Sequence, residues 1–118
     1  MSKFVSLLMH TRTQAHEFHL QTRSYAIHKA LEDYYTAIVP LLDAYTEAYQ
    51  GKYGIIKRYY NFPVVKGASK RTVVQYFRLV REEVLKYRTG LRDTYLQAGV
   101  DDVLTLVNST LYKLINLL

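Results

Sequence analysis

Apolar side chains recur every three or four residues along nearly all of this chain, and that spacing commits it to amphipathic helices. Phe4, Leu8, Ala15 and Phe18 fall on one stripe, which places a first helix over about residues 3–21 with Ser2 as its cap. Ala30, Leu31, Tyr34, Ile38, Leu42 and Tyr45 define a second over about 24–50, with Ser24 as N-cap and Gly51 as the stop. Pro40 lies inside it, removes a backbone donor and predicts a kink or break near residues 36–40. Gly51, Gly54, Pro63 and Gly67 then punctuate a loop over 51–69. Val73, Phe77, Val80, Val84, Leu91 and Tyr95 predict a third helix over about 70–97, weakened inside by Gly90 and closed by Gly99. Asp101 or Asp102 would cap a fourth over about 102–117, with Val103, Val107, Leu111, Leu114 and Leu118 on one face. The expected fold is all-α, a four-helix bundle with a long loop between its second and third helices.

The 118 residues suffice for one domain with one sizeable core. Cysteine is absent, which excludes disulfides, thiolate zinc sites, iron–sulfur clusters and a thiol nucleophile. That composition fits a reducing compartment, and a cytoplasmic location is expected. The apolar run at the start is too short for a secretory signal, and no stretch is long enough to span a bilayer, so no membrane role is expected.

The net charge of +6 has a single source. Residues 1–50 and 82–118 each carry one more acid than base, whereas 51–81 holds eight basic residues and no acid. Lys52, Lys57, Arg58, Lys66, Lys70 and Arg71 alternate there with Tyr53, Tyr59, Tyr60 and Phe62. Cations meet phosphates and aromatic faces stack on unpaired bases, so this segment is a candidate surface for nucleic acid or for an acidic protein.

Chemistry-bearing groups gather in the first half. His19 and His28 supply imidazoles, and Asp43 and Glu47, one helical turn apart, supply carboxylates able to share one ion. His16 precedes His19 by a turn and is either a further metal ligand or, better suited, a supporting partner; Glu32, a turn after His28, is the spare carboxylate; His10 stands outside the pattern. Fifteen residues separate His28 from Asp43, about 22 Å along a straight helix, so one chain cannot close a site from all four. Two chains packed antiparallel about a two-fold axis could, the histidines of one facing the acids of the other.

The run from Ala15 to Gly51, AHEFHLQTRSYAIHKALEDYYTAIVPLLDAYTEAYQG, resembles the first two helices of the Dps mini-ferritins, in which H-x-x-H is followed by H…D-x-x-x-E. It resembles still more the small ferritin-like proteins of tailed bacteriophages, which share the histidine-rich start and the YQG close. The sequence departs from the mini-ferritins at Leu20, where they carry tryptophan, in a shorter link between His19 and His28, and in Pro40. The resemblance implies a ferritin-like scaffold, a homo-oligomer of at least two chains, and iron or another divalent metal held by His19, His28, Asp43 and Glu47 with His16 nearby. It also implies oxidation of ferrous iron by oxygen or peroxide and, on the phage side, life in the cytoplasm of a bacterial host. A metal-free phage protein gripping nucleic acid or an acidic host protein through 51–81 is the alternative, and a structural virion component a third.

Other chemistries find no support. Glu-x-x-His does not occur and the last two helices contain no histidine, which argues against a di-iron oxygenase. KGASKRT lacks the first glycine of a phosphate loop, and no nucleophile elbow is present, so no catalytic residue is assigned.

Overall fold

A computed structural model describes residues 2–117, with the backbone alone at Ser2. The expected Ser2 cap and the place of Leu118 lie outside what is described. Among the described residues, four helices account for the secondary structure: α1 (Ser2–Gln21), α2 (Tyr25–Tyr53), α3 (Lys70–Thr89) and α4 (Thr94–Asn116). The chain is an all-α four-helix bundle. None of these helices is long and apolar enough to cross a membrane.

The connections set the topology. A three-residue turn joins α1 to α2 and a four-residue turn joins α3 to α4, so each pair is an antiparallel hairpin. Residues 54–69 form the one long connection. It runs back along α1, from Ser6, whose Oγ accepts the Tyr60 N–H, to Gln14, which bonds Val65. α3 therefore starts at the end of the bundle where α2 also starts, and the two run parallel. α2 packs on α1 and α4, and α4 on α3, whereas α1 and α3 meet only sparsely.

Each buried stripe follows the sequence periodicity. Leu8 and Phe18 of α1, Leu31, Tyr34 and Ile38 of α2, Val73 and Phe77 of α3, and Val103 and Val107 of α4 are fully enclosed. Tyr34 is the largest of these. Its hydroxyl donates to Thr11 Oγ1 at 2.8 Å, and Thr11 donates in turn to the Leu8 carbonyl at 2.7 Å, so neither buried oxygen is left unmatched.

Boundaries differ from expectation in three places. α2 continues past Gly51 to Tyr53 and ends at Gly54, whose φ of 96° is open to glycine and strained for other residues. Of the kink or break expected near residues 36–40, the break does not occur: α2 continues as one helix through Pro40. The proline is exposed, as is Thr36, whose carbonyl loses its helical partner, so that loss falls on the solvent side while Ile38 and Leu42 hold the buried side. The third difference is larger. α3 stops at Thr89 and α4 begins at Thr94, so Gly90 is an end and Gly99 is interior. Asp93, not Asp101 or Asp102, occupies the N-cap position. Its carboxylate caps nothing; it accepts the Tyr53 hydroxyl at 2.5 Å and pairs with Lys52 at 3.9 Å, fastening the end of α2 to the start of α4. Asp101 instead accepts a two-pronged bond from the Arg88 guanidinium, which ties α3 to α4 and holds the Asp101 carboxyl below its ordinary range.

Inside α4, Gly99 makes room for Tyr45. A Cβ built on Gly99 would sit 3.2 Å from the Tyr45 ring. That ring cannot withdraw: its hydroxyl is bonded to Tyr87 at 2.5 Å and its edge meets Phe4 at 5.4 Å. Gly99→Ala gains about 1 kcal/mol of helix propensity and pays about 1–3 kcal/mol of overpacking. We expect a net loss of about 1 kcal/mol by urea denaturation, and a gain in stability would show that Tyr45 moves freely.

Candidate metal centre

The α1–α2 turn builds the site. Thr22 Oγ1 accepts the Ser24 N–H at 3.2 Å, and Ser24 Oγ caps α2 by accepting the Ile27 N–H at 3.2 Å, as expected for that serine. So tight a turn sets the last residues of α1 opposite the first residues of α2. His19 and His28 are thereby placed face to face, their rings stacked with centroids 3.6 Å apart and planes 19° from parallel.

Each ring is anchored by the other's backbone. His19 Nδ1 lies 2.8 Å from the His28 carbonyl oxygen, and His28 Nδ1 lies 2.8 Å from the His19 carbonyl oxygen. A carbonyl only accepts, so both Nδ1 atoms carry hydrogen and, in the neutral rings, the lone pair is on Nε2. This is the tautomer that histidine ligands adopt when their other nitrogen is held by a hydrogen bond. The exchange also satisfies the His19 carbonyl, which lies in the last turn of α1, where helix carbonyls lack helical partners.

Glu32 completes a triad one turn further along α2. One ligand atom from each of His19, His28 and Glu32 lies within 4.8 Å of the other two. His19 is buried, while His28 and Glu32 are partly exposed. Glu32 also pairs with Lys29 at 3.6 Å. Tyr35 presents its edge to His19 at 5.2 Å and stacks on His16 at 4.5 Å; Tyr25 lies over His28 at 6.1 Å. Nearly parallel rings keep their in-plane lone pairs in two separate, stacked planes. A common ion therefore requires at least one imidazole to turn, at a cost of about 1 kcal/mol for the hydrogen bond given up.

The other expected ligands are placed as their spacing requires. Asp43 and Glu47 are exposed and lie well along α2 from the histidines of their own chain. His16 is exposed, its ring centroid 6.0 Å from that of His19, at the margin of the cluster. In the basic segment, Lys57, Arg58, Tyr59, Tyr60, Lys66 and Arg71 are exposed. Lys70 reaches the Ile115 carbonyl at 3.4 Å, and Lys52 is the member paired with Asp93.

His10 has a defined task that its sequence position did not suggest. Its Nδ1 lies 2.8 Å from the Tyr76 hydroxyl and its Nε2 3.1 Å from the Pro63 carbonyl. Only Nε2 can donate to that carbonyl, so neutral His10 accepts at Nδ1 from Tyr76 and clamps the crossover between α1 and α3. Gln14, one turn on and buried, does the same through both ends of its amide, which bond the N–H and the C=O of Val65 at 2.8 and 3.0 Å. The available signal was a pair of polar side chains one turn apart on a face that also had to be covered.

A family model described as a family of unknown function, DUF5856, matches residues 19–114. The chain belongs to the DUF5856 family. In this DUF5856 chain the matched span opens on His19 and includes His28, Glu32, Asp43 and Glu47, whereas His10 and His16 precede it. Neither the curated proteins nor the solved structures give a match.

Proposed function

We propose that this DUF5856 chain binds a divalent metal ion at the α1–α2 turn through His19, His28 and Glu32, with iron as the favoured ion. The observation that carries the reading is the gathering of one ligand atom each from His19, His28 and Glu32 within 4.8 Å of one another, with both Nδ1 atoms bonded to carbonyls so that the free lone pairs are on Nε2. Two imidazoles and one carboxylate are a donor set suited to ferrous iron with open coordination positions. Asp43 and Glu47 of a second copy would fill those positions in a dimer, as the mini-ferritin resemblance implies, and the single long crossover is the connectivity of ferritin-like bundles. When bound, iron would supply redox chemistry with oxygen or peroxide; the chain supplies ligands, their orientation and a partly buried wall at Tyr35. The phage likeness is what supports a bacterial cytoplasm as the setting for this activity.

Anaerobic titration with ferrous iron, and with cobalt(II) as a spectroscopic substitute, tests the reading. Saturable uptake should be lost in His19→Ala and His28→Ala and weakened in Glu32→Gln. Equal uptake by all three variants would dispose of the site. An Asp43→Ala/Glu47→Ala double variant weakens uptake only where a second chain completes the shell, and sedimentation mass reports whether that chain is present.

A second reading rests on the crossover. Lys57, Arg58, Lys66 and Arg71 take part in none of the ion pairs among the described residues, and Tyr59 and Tyr60 are about half exposed beside them. That surface suits an anionic partner, single-stranded nucleic acid or an acidic protein.

A further inference from the structure

The sparse contact between α1 and α3 leaves a cavity of about 620 Å³, with the crossover as its third wall. Its volume lies within the range of small-molecule pockets, about 300–1,000 Å³. Leu7, Phe62, Val65, Leu79 and Val80 line it, and Phe4 stacked on Tyr87 at 3.8 Å contributes a flat aromatic surface. The His10 ring is part of the wall, but both its nitrogens are engaged with Tyr76 and Pro63. Charge is confined to three lining residues, all exposed: Lys3 and Lys86 against Glu83, none of them in an ion pair among the described residues. The walls therefore select an apolar body, and the surplus ammonium selects a negative head.

We propose that this cavity binds a small amphiphile with one anionic head, of the medium-chain carboxylate class, its chain lying between α1 and α3 and its head at Lys3 and Lys86. The walls are held in place before any ligand arrives. His10 and Gln14 fix the crossover to α1, and Tyr76 links His10 to α3, so the apolar surface is not free to collapse on itself. The site shares no residue with the His19–His28–Glu32 cluster and stands independently of it.

Calorimetric titration with decanoate below its micellar concentration, alongside decanol, tests the proposal. Decanoate should bind saturably at one per chain. Leu79→Asp, at a half-exposed position where the fold tolerates a charge, should weaken it at least tenfold. Lys86→Glu should weaken decanoate by a similar factor and leave decanol unchanged. Nuclear Overhauser contacts between the ligand chain and the Leu79 and Val65 methyl groups should appear, a measurement that needs no variant. Absence of saturable binding, unchanged affinity in Leu79→Asp, or absence of those contacts would overturn the site. Equal binding of decanol and decanoate, with no effect of Lys86→Glu, would overturn the anionic head.

Discussion

Ferrous iron supplied without oxygen, at about a hundredfold excess over its dissociation constant, will stabilise the wild-type chain by about 2.7 kcal/mol. For a domain of this size that is a rise of about 10 °C in Tm. The same addition to His28→Ala will leave Tm unchanged. His28 is the decisive position because it has two roles at the α1–α2 turn. It offers one imidazole, and its Nδ1, bonded to the His19 carbonyl, holds its ring against that of His19. Removing it deprives His19 of its stacked partner as well as the ion of a ligand. Glu32→Gln keeps both imidazoles and should retain part of the rise. A rise in His28→Ala equal to that of wild type would place the ion elsewhere.

Alkali will unfold this protein well before it damages the backbone. Burial pushes the Tyr34 and Tyr76 phenols above their ordinary value of 10.0, and the Tyr45 and Tyr87 hydroxyls are raised for the same leading reason. Below pH 10 these groups keep their protons in both the folded and unfolded chain, and the full stability is present. Above it the unfolded chain ionises while the folded chain does not, so the unfolded state binds fewer protons and stability falls as pH rises. Tyr34 and Tyr76, the most deeply enclosed, each contribute a slope of about 1.4 kcal/mol per pH unit in that window. Against a typical reserve of about 5–15 kcal/mol, two to three pH units exhaust much of it. Urea midpoints should therefore fall steeply above pH 10. Tyrosinate absorbance from the buried rings should appear together with the loss of helical circular dichroism. Tyr34→Phe removes one contributor and should flatten the slope; an unchanged slope would locate the loss in other groups.

Much of the architecture was legible because its cause is local. The stripe through Leu31, Tyr34, Ile38 and Leu42 can be satisfied by one helix face only, and Ser24 caps it as its chemistry suggests. The expected α3–α4 turn lies too late because the apolar rhythm continues through Leu91 and Tyr95, which outweighs the one local sign of a stop at Gly90. Gly99 serves instead to clear the Tyr45 ring packed against it, a contact between residues far apart in the chain. Likewise, Asp93 is recruited by Tyr53 and Lys52, and Asp101 by Arg88, partners that helix-capping rules do not consider.

The candidate metal centre divides in the same way. His19 and His28 stood out by type and spacing, and Glu32 lies one turn from His28 by simple helical arithmetic. Their tautomers did not, because those depend on two carbonyls that face the rings only once a three-residue turn has been made. His10 and Gln14 were harder still, since their partners at Pro63, Val65 and Tyr76 lie more than fifty residues away.

The crossover is fastened largely through its main chain: Tyr60 and Val65 offer amide hydrogens, and Pro63 and Val65 offer carbonyl oxygens. An anchor of that kind is indifferent to which amino acid bears it. Lys57, Arg58, Tyr59 and Lys66 can thus be exchanged over evolutionary time, and one scaffold could acquire new specificities along this strap without having to relearn how to fold.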